Sequence, residues 1–107
     1  LAAALELSPG HGTPPCVFAV TDVMAIGAIA AWRELGLDVP TDVCVAGFDD
    51  IPTLRDHFPS LTTVALDLVD IGERATQLAL DPSPAAMNAH DYAPGTVVLR
   101  RSSQLDG

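Results

Sequence analysis

The sequence predicts an α/β domain, a layered parallel sheet flanked by helices, and three observations carry that expectation. Short apolar runs alternate with longer segments of helical period, in the order helix, strand, helix, strand, strand, helix, strand. The strand-like runs are apolar throughout rather than alternating, which fits strands covered on both faces, as parallel strands between helices are. Two of these runs end on polar residues, "AVTD" and "GFDD", at the carboxyl ends where an open parallel sheet holds its ligands.

Leu1 to Leu7 reads as helix already under way, with no initiator Met and no N-cap before it, and "SPGHGTPP" at 8–15 is a turn-rich connector. Cys16 to Val20 is the first strand. Thr21 or Asp22 caps a helix with Val23, Ile26, Ala30 and Leu35 on its apolar face, Met24, Ile29 and Trp32 beside them, and Gly36 as its end. Pro40 sets the turn into a second apolar strand, Val43 to Phe48. Residues 53–60 are irregular, and Leu61 to Leu66 is a short extended piece. Asp67 caps a second helix, reaching Leu80, that carries Leu68, Ile71, Ala75 and Leu78 on one face, and "DPSP" at 81–84 stops it. Residues 85–95 are loop with a helical turn, and Thr96 to Arg101 is the last strand.

A length of 107 residues allows one core. The net charge of −9 makes the segment repel phosphate backbones, which argues against a DNA-contacting surface here. No apolar run reaches the roughly 18 residues of a membrane span, and no secretory leader pattern is present, so a soluble globular piece with no membrane partner is expected. Cys16 and Cys44 lie in apolar runs and read as small buried hydrophobes of a reducing compartment, not as a disulfide. With His11, His57 and His90 scattered, no zinc site is expected, and no cofactor is implied.

The carboxylates at the strand ends are the candidate chemistry. A carboxylate accepts hydrogen bonds only, so one at the rim can take paired hydroxyls from a sugar or ribose. Asp22 also reads as a helix cap and Asp50, before Ile51 and Pro52, as a turn residue, which leaves Asp49 as the leading ligand contact. An enzyme is not expected, and no catalytic residues are assigned. Acidic strand ends can hold Mg²⁺ with a phosphoryl group, but no Lys stands at a strand end and no Gly-rich phosphate loop opens a helix. A G-x-S-x-G elbow is missing too.

The stretch "VFAVTDVMAIGAIAAWRELGLDVPTDVCVAGFDDIP", followed by "PSLTTV", "IGERATQLAL" and a basic "VLRRSS" end, resembles the C-terminal half of the effector-binding domain of LacI/GalR-family bacterial transcription regulators, over about residues 1–102. The resemblance implies a periplasmic-binding-protein-like fold of type I, incomplete here. Residues 1–107 would be the C-terminal portion, without the N-terminal subdomain and the helix-turn-helix. It implies a cytoplasmic homodimer, a small-molecule effector such as a sugar or nucleoside, and operator DNA held only through the missing N-terminal domain. Effector binding would shift subdomain orientation and so operator affinity.

By the resemblance, Asp49 matches the position that bonds effector hydroxyls, and Asp22 lies at the neighbouring strand end. Thr21 stands where the family usually has Asn, and Leu66 and Leu68 stand where members present polar or aromatic groups to the cleft. The helix from Val23 to Leu35 and the segment Ile51 to Phe58 match dimer surfaces, which makes Ile26, Ile29, Trp32, Leu54 and His57 interface candidates. A periplasmic sugar-binding protein of an ABC transporter, which shares the fold, is the alternative. The helix from Asp67 to Leu80 would belong to the missing subdomain, so the isolated chain is expected to swap it between copies or to be part of a longer molecule.

Overall fold

The computed structural model describes residues 12–105, and the helix expected at Leu1 to Leu7 lies outside them. The described residues form two compact units: 12–65 with 97–105, and 66–96.

In the first unit, β1 (Cys16–Phe18) pairs in parallel with β2 (Cys44–Ala46), Cys16 opposite Cys44, Val17 opposite Val45 and Phe18 opposite Ala46. The ladder continues on the other side of β2. Ala46 bridges Thr62 and Asp49 bridges Ala65, both parallel, so the chain leading into and through β3 (Thr63–Leu66) joins the layer. β3 is in turn the hydrogen-bonded neighbour of β4 (Gly95–Val98). The strands are shorter than their apolar runs, because a strand lasts only as long as its ladder.

Helix α1 (Asp22–Glu34) connects β1 to β2. Thr21 is its N-cap, extended in backbone, with its hydroxyl oxygen accepting the Met24 N–H at 3.2 Å. At the other end Gly36 takes φ +77°, a left-handed conformation that favours glycine. Its N–H donates to the Arg33 carbonyl and the Leu37 N–H to the Trp32 carbonyl, the crossed pair of a Schellman stop. Ala25, Ile29 and Trp32, spaced four and three residues apart, form the buried stripe. They pack with Ala19, Val43, Val45 and Leu61 into one core, against which Ile26 is partly buried.

Two expectations are corrected here. β1 is not covered on both faces: Cys16 is exposed and Phe18 is 61% exposed, because among the described residues β1 pairs with β2 alone. Cys44 is the buried hydrophobe that was expected, and Cys16 is not.

The second unit contains α2 (Leu68–Leu80), capped by the Asp67 carboxylate, which accepts the Asp70 N–H at 3.0 Å. A short 3-10 turn at Ala86–Asn88 follows. None of the residues of α2 is buried, although its apolar side is well defined: Ile71, Ala75 and Leu78 line a groove with Arg74, Asp91 and Ala93. None of the helices among the described residues is long and apolar enough to cross a membrane.

Candidate functional site

The carboxyl ends of β1 and β2 are tied together by Asp22, the first residue of α1. Its N–H donates to the Phe48 carbonyl at 2.9 Å. One carboxylate oxygen accepts the Ile51 N–H at 2.9 Å and the other accepts the Thr63 hydroxyl at 2.6 Å. The side chain is 2% exposed, so both of its oxygens are spent inside the protein. Thr63, the first residue of β3, then accepts the Asp50 N–H at 3.2 Å, which joins the carboxyl ends of β1 and β2 to the start of β3 in one largely buried chain of hydrogen bonds.

Gly47 makes this arrangement possible. A Cβ there would run into the Asp22 carboxylate and stand 3.0 Å from the Asp22 Cα and 3.1 Å from Leu61 Cδ2. Gly47→Ala is therefore expected to destabilise the first unit by about 1–3 kcal/mol, the usual range for overpacking, readable as a lowered urea midpoint with unchanged slope.

Asp50 is held on the opposite side. Arg100 reaches one carboxylate oxygen at 2.8 Å and Arg55 the other at 2.9 Å, with the Asp50 side chain only 10% exposed. Burial by itself would raise this carboxyl's pKa. The hydrogen bonds from Arg100 and Arg55, and their charges, outweigh it and leave the group below its ordinary value. A carboxylate with a depressed folded pKa contributes stability above the unfolded pKa and loses it as pH falls through the folded one. Acid titration of wild type should show this loss below about pH 4, and Asp50→Asn should be the less stable protein at pH 7 while converging on wild type in acid.

Arg100 also donates to the Leu61 carbonyl at 2.9 Å, and its segment is stitched onto "SLTT". Thr62 Oγ1 accepts the Arg100 N–H at 2.8 Å and donates to the Arg100 carbonyl at 3.0 Å. Ser102, fully buried, accepts the Thr62 N–H and donates to the Val45 carbonyl, at 2.8 and 2.7 Å. Sequence reasoning gave no role to Arg55, Arg100, Thr63 or Ser102. The signal available was the coexistence of "LTTV" and "RRSS", two stretches that are one hydrogen-bonded joint in space.

Asp49 stands between these anchors and is different from both neighbours. Its N–H donates to the Val64 carbonyl at 3.0 Å, but among the described residues its carboxylate has no hydrogen-bond or ion-pair partner, and the residue is exposed. Its φ is +112°, where L side chains are strained, and Asp50 follows at +51°. Such a conformation persists only when its surroundings fix it, and here the Phe48 carbonyl and the N–H groups of Asp49 and Asp50 are all engaged. Thr21 and Asp49 sit one residue away from the bond between Asp22 and Phe48, so they occupy neighbouring strand ends. The Thr21 oxygen accepts from Met24, which leaves its hydroxyl proton available to donate.

The remaining candidates are placed as follows. Leu66 ends β3 and Leu68, 69% exposed, opens α2, both in the second unit. Ile29 and Trp32 are taken up by the core at 2% and 3% exposure, Ile26 is half-buried, and the outer side of α1 shows Val23 and Met24 instead. Leu54 and His57 are half-buried. The His57 N–H donates to the Leu54 carbonyl, and its Nδ1 lies 3.3 Å from the Pro59 carbonyl. Among the described residues no three His, Cys, Asp or Glu side chains group as metal ligands would.

The periplasmic binding protein-like domain family matches residues 2–103. The HTH-type transcriptional regulator MalR of Streptomyces coelicolor is 39% identical over 94 residues, covering 85% of this chain and 27% of MalR. Among solved structures, the lac repressor dimer bound to operator and the anti-inducer ONPF superposes with a TM-score of 0.76 at 29% identity, over 87% of this chain and 33% of that one. A LacI family regulator from Lactobacillus casei with bound glucose gives 0.71 at 26% identity, over 94% of this chain and 36% of that one. The chain thus spans about a quarter to a third of the length of the proteins it matches. With that coverage and the "GFDD", "LTTV" and "RRSS" joint in place, the chain belongs to the periplasmic binding protein-like domain family, in the form carried by LacI/GalR-type transcriptional regulators.

Proposed function

We propose that this chain is the effector-sensing and dimer-forming part of a cytoplasmic LacI-type regulator, binding a small hydroxylated ligand and controlling operator DNA through a DNA-binding domain elsewhere in a longer protein. The observation that carries this reading is Asp49, an exposed, unpartnered carboxylate held in a strained conformation at the strand-end rim. Beside it the Thr21 hydroxyl offers a donor to a ligand whose own hydroxyls bond the carboxylate. Asp22 serves by fixing the rim rather than by touching the ligand. For Leu66 and Leu68 an effector-facing role rests on the resemblance alone. A sugar or nucleoside fits this chemistry, and glucose in the Lactobacillus casei relative is in keeping with it.

Dimer formation draws on the outer side of α1, where Val23 and Met24 are 63% and 58% exposed, with Ile26 beneath them and the Leu54 to His57 segment as the second element. The acidic balance of the chain supports DNA binding by another part of the protein. A mobility-shift assay with the full-length protein and DNA from its own promoter, with and without a panel of neutral sugars and nucleosides, tests the reading. A retained complex whose affinity one of these ligands changes is expected, and a full-length protein that binds no DNA would retire it in favour of an exported receptor.

The groove on α2 supports the view that residues 66–96 need further protein around them. Sedimentation of the isolated 107 residues should show self-association or incomplete folding. A monodisperse, cooperatively melting monomer would contradict that.

A further inference from the structure

Asp49 at φ +112° and Asp50 at φ +51° are consecutive residues in conformations that L side chains rarely adopt. The torsions of Asp49 follow from the orientations of the two peptide groups that flank it. The first is fixed by main chain: the Phe48 carbonyl accepts the Asp22 N–H at 2.9 Å, and the Asp49 N–H donates to the Val64 carbonyl at 3.0 Å. The second is fixed at the Asp50 N–H, and there the acceptor is a side chain, the Thr63 hydroxyl at 3.2 Å. A substitution can therefore remove the second anchor and leave the first. The hydroxyl is itself aimed. Its one proton goes to the Asp22 carboxylate at 2.6 Å, the short length of a charge-assisted bond, so its lone pairs are what remain for the Asp50 N–H. The other Asp22 oxygen accepts the Ile51 N–H at 2.9 Å, which holds the peptide group after Asp50. Thr63 and Asp22 are 1% and 2% exposed, all of these residues belong to the first unit, and the arrangement needs no open surface.

We propose that Thr63 is a positioning residue for Asp49: its buried hydroxyl, oriented by Asp22, holds the peptide group between Asp49 and Asp50 and so aims the Asp49 carboxylate at the effector. The effector side of this inference rests on Asp49 as the ligand contact. Without the hydroxyl the Asp50 N–H has no acceptor, the peptide group turns to find one, and Asp49 relaxes toward an ordinary backbone conformation with its carboxylate displaced from the ligand hydroxyls. The branched Cβ of threonine restricts χ1, which keeps the oxygen where the Asp50 N–H meets it. Serine supplies the same donor and acceptor on a freer side chain. Arg100 and Arg55 hold the Asp50 carboxylate, but they act on the side chain and not on the peptide group that precedes it. If that clamp imposed the Asp49 conformation instead, removing the Thr63 hydroxyl would leave Asp49 as it is.

The test uses the full-length protein with Thr63→Val, which keeps the branched shape and removes the hydroxyl, and Thr63→Ser, which keeps the hydroxyl. Strain is read without any ligand, by adding Asp49→Gly to each background and measuring the thermal midpoint. Glycine should raise the midpoint in wild type and in Thr63→Ser, where there is strain to relieve, and should give little or no rise in Thr63→Val. The cost of Thr63→Val itself is common to both members of its pair and drops out. If that variant does not fold, Thr63→Cys, whose thiol is a weak acceptor, takes its place with the same expectation. Aim is read by calorimetric titration with neutral sugars and nucleosides. For a ligand that Asp49→Gly fails to hold, Thr63→Val should lose about tenfold or more in affinity, the loss of one charge-assisted bond, and Thr63→Ser should stay near wild type. An equal effect of glycine in all three backgrounds, or a Thr63→Val protein that binds such a ligand as tightly as wild type, overturns the proposal. A ligand held equally by wild type and Asp49→Gly retires Asp49 as the effector contact instead, and the glycine comparison, which uses no ligand, still decides whether Thr63 holds it.

Discussion

Asp49→Ala is expected to weaken binding of the proposed effector by about 100-fold or more while leaving the thermal midpoint almost unchanged. The binding side follows from the chemistry of a carboxylate facing hydroxyls. Two charge-assisted hydrogen bonds at about 1.5–3 kcal/mol each amount to at least about 3 kcal/mol, or two powers of ten in affinity. The stability side follows from the absence of any partner for that carboxylate among the described residues, so its removal leaves no buried group unsatisfied. Asp49→Gly sharpens the separation. Glycine accommodates φ +112° without strain, so this variant should be more stable than wild type by about 1 kcal/mol and equally poor at binding. Differential scanning calorimetry alongside ligand titration reads both effects on the same samples.

Asp22→Ala is expected to behave in the opposite way, losing about 2–6 kcal/mol of stability in the first unit. It removes both acceptors at once, leaving the Ile51 N–H and the Thr63 O–H with no acceptor, and Thr63 is 1% exposed. Each orphaned donor costs about 1–3 kcal/mol. Because typical domains have only about 5–15 kcal/mol in hand, the variant should be partly unfolded at modest urea concentrations. Asp22→Asn keeps one acceptor and should fall between. An Asp22→Ala protein as stable as wild type would show that the joint among the strand ends is not what holds the rim.

The two adjacent aspartates of "GFDD" show where the sequence was legible and where it was not. That an exposed carboxylate, Asp49, stands just beyond the strand follows from an apolar run meeting acidic residues, a local pattern. That Asp50 is a largely buried anchor does not, since Arg55 five positions on is an exposed partner and the other, half-buried Arg100, is 50 positions away. Helix α2 matched its expected span because its cap, its period and its "DPSP" stop are all local signals. β1 ended early and lay open on one face because strand length and coverage depend on neighbours, which an apolar run cannot specify. Ile29 and Trp32 are apolar on a helix whichever side they face. Only the packing against Val43, Val45 and Leu61 assigns them to the core.

The most direct test of the account is calorimetric titration of the full-length protein and its Asp49→Gly variant with the same panel of neutral sugars and nucleosides. The account predicts that at least one of them binds the wild type and that the variant, equally folded, loses about 100-fold or more of that affinity. A ligand from the panel that binds both proteins equally well would contradict it.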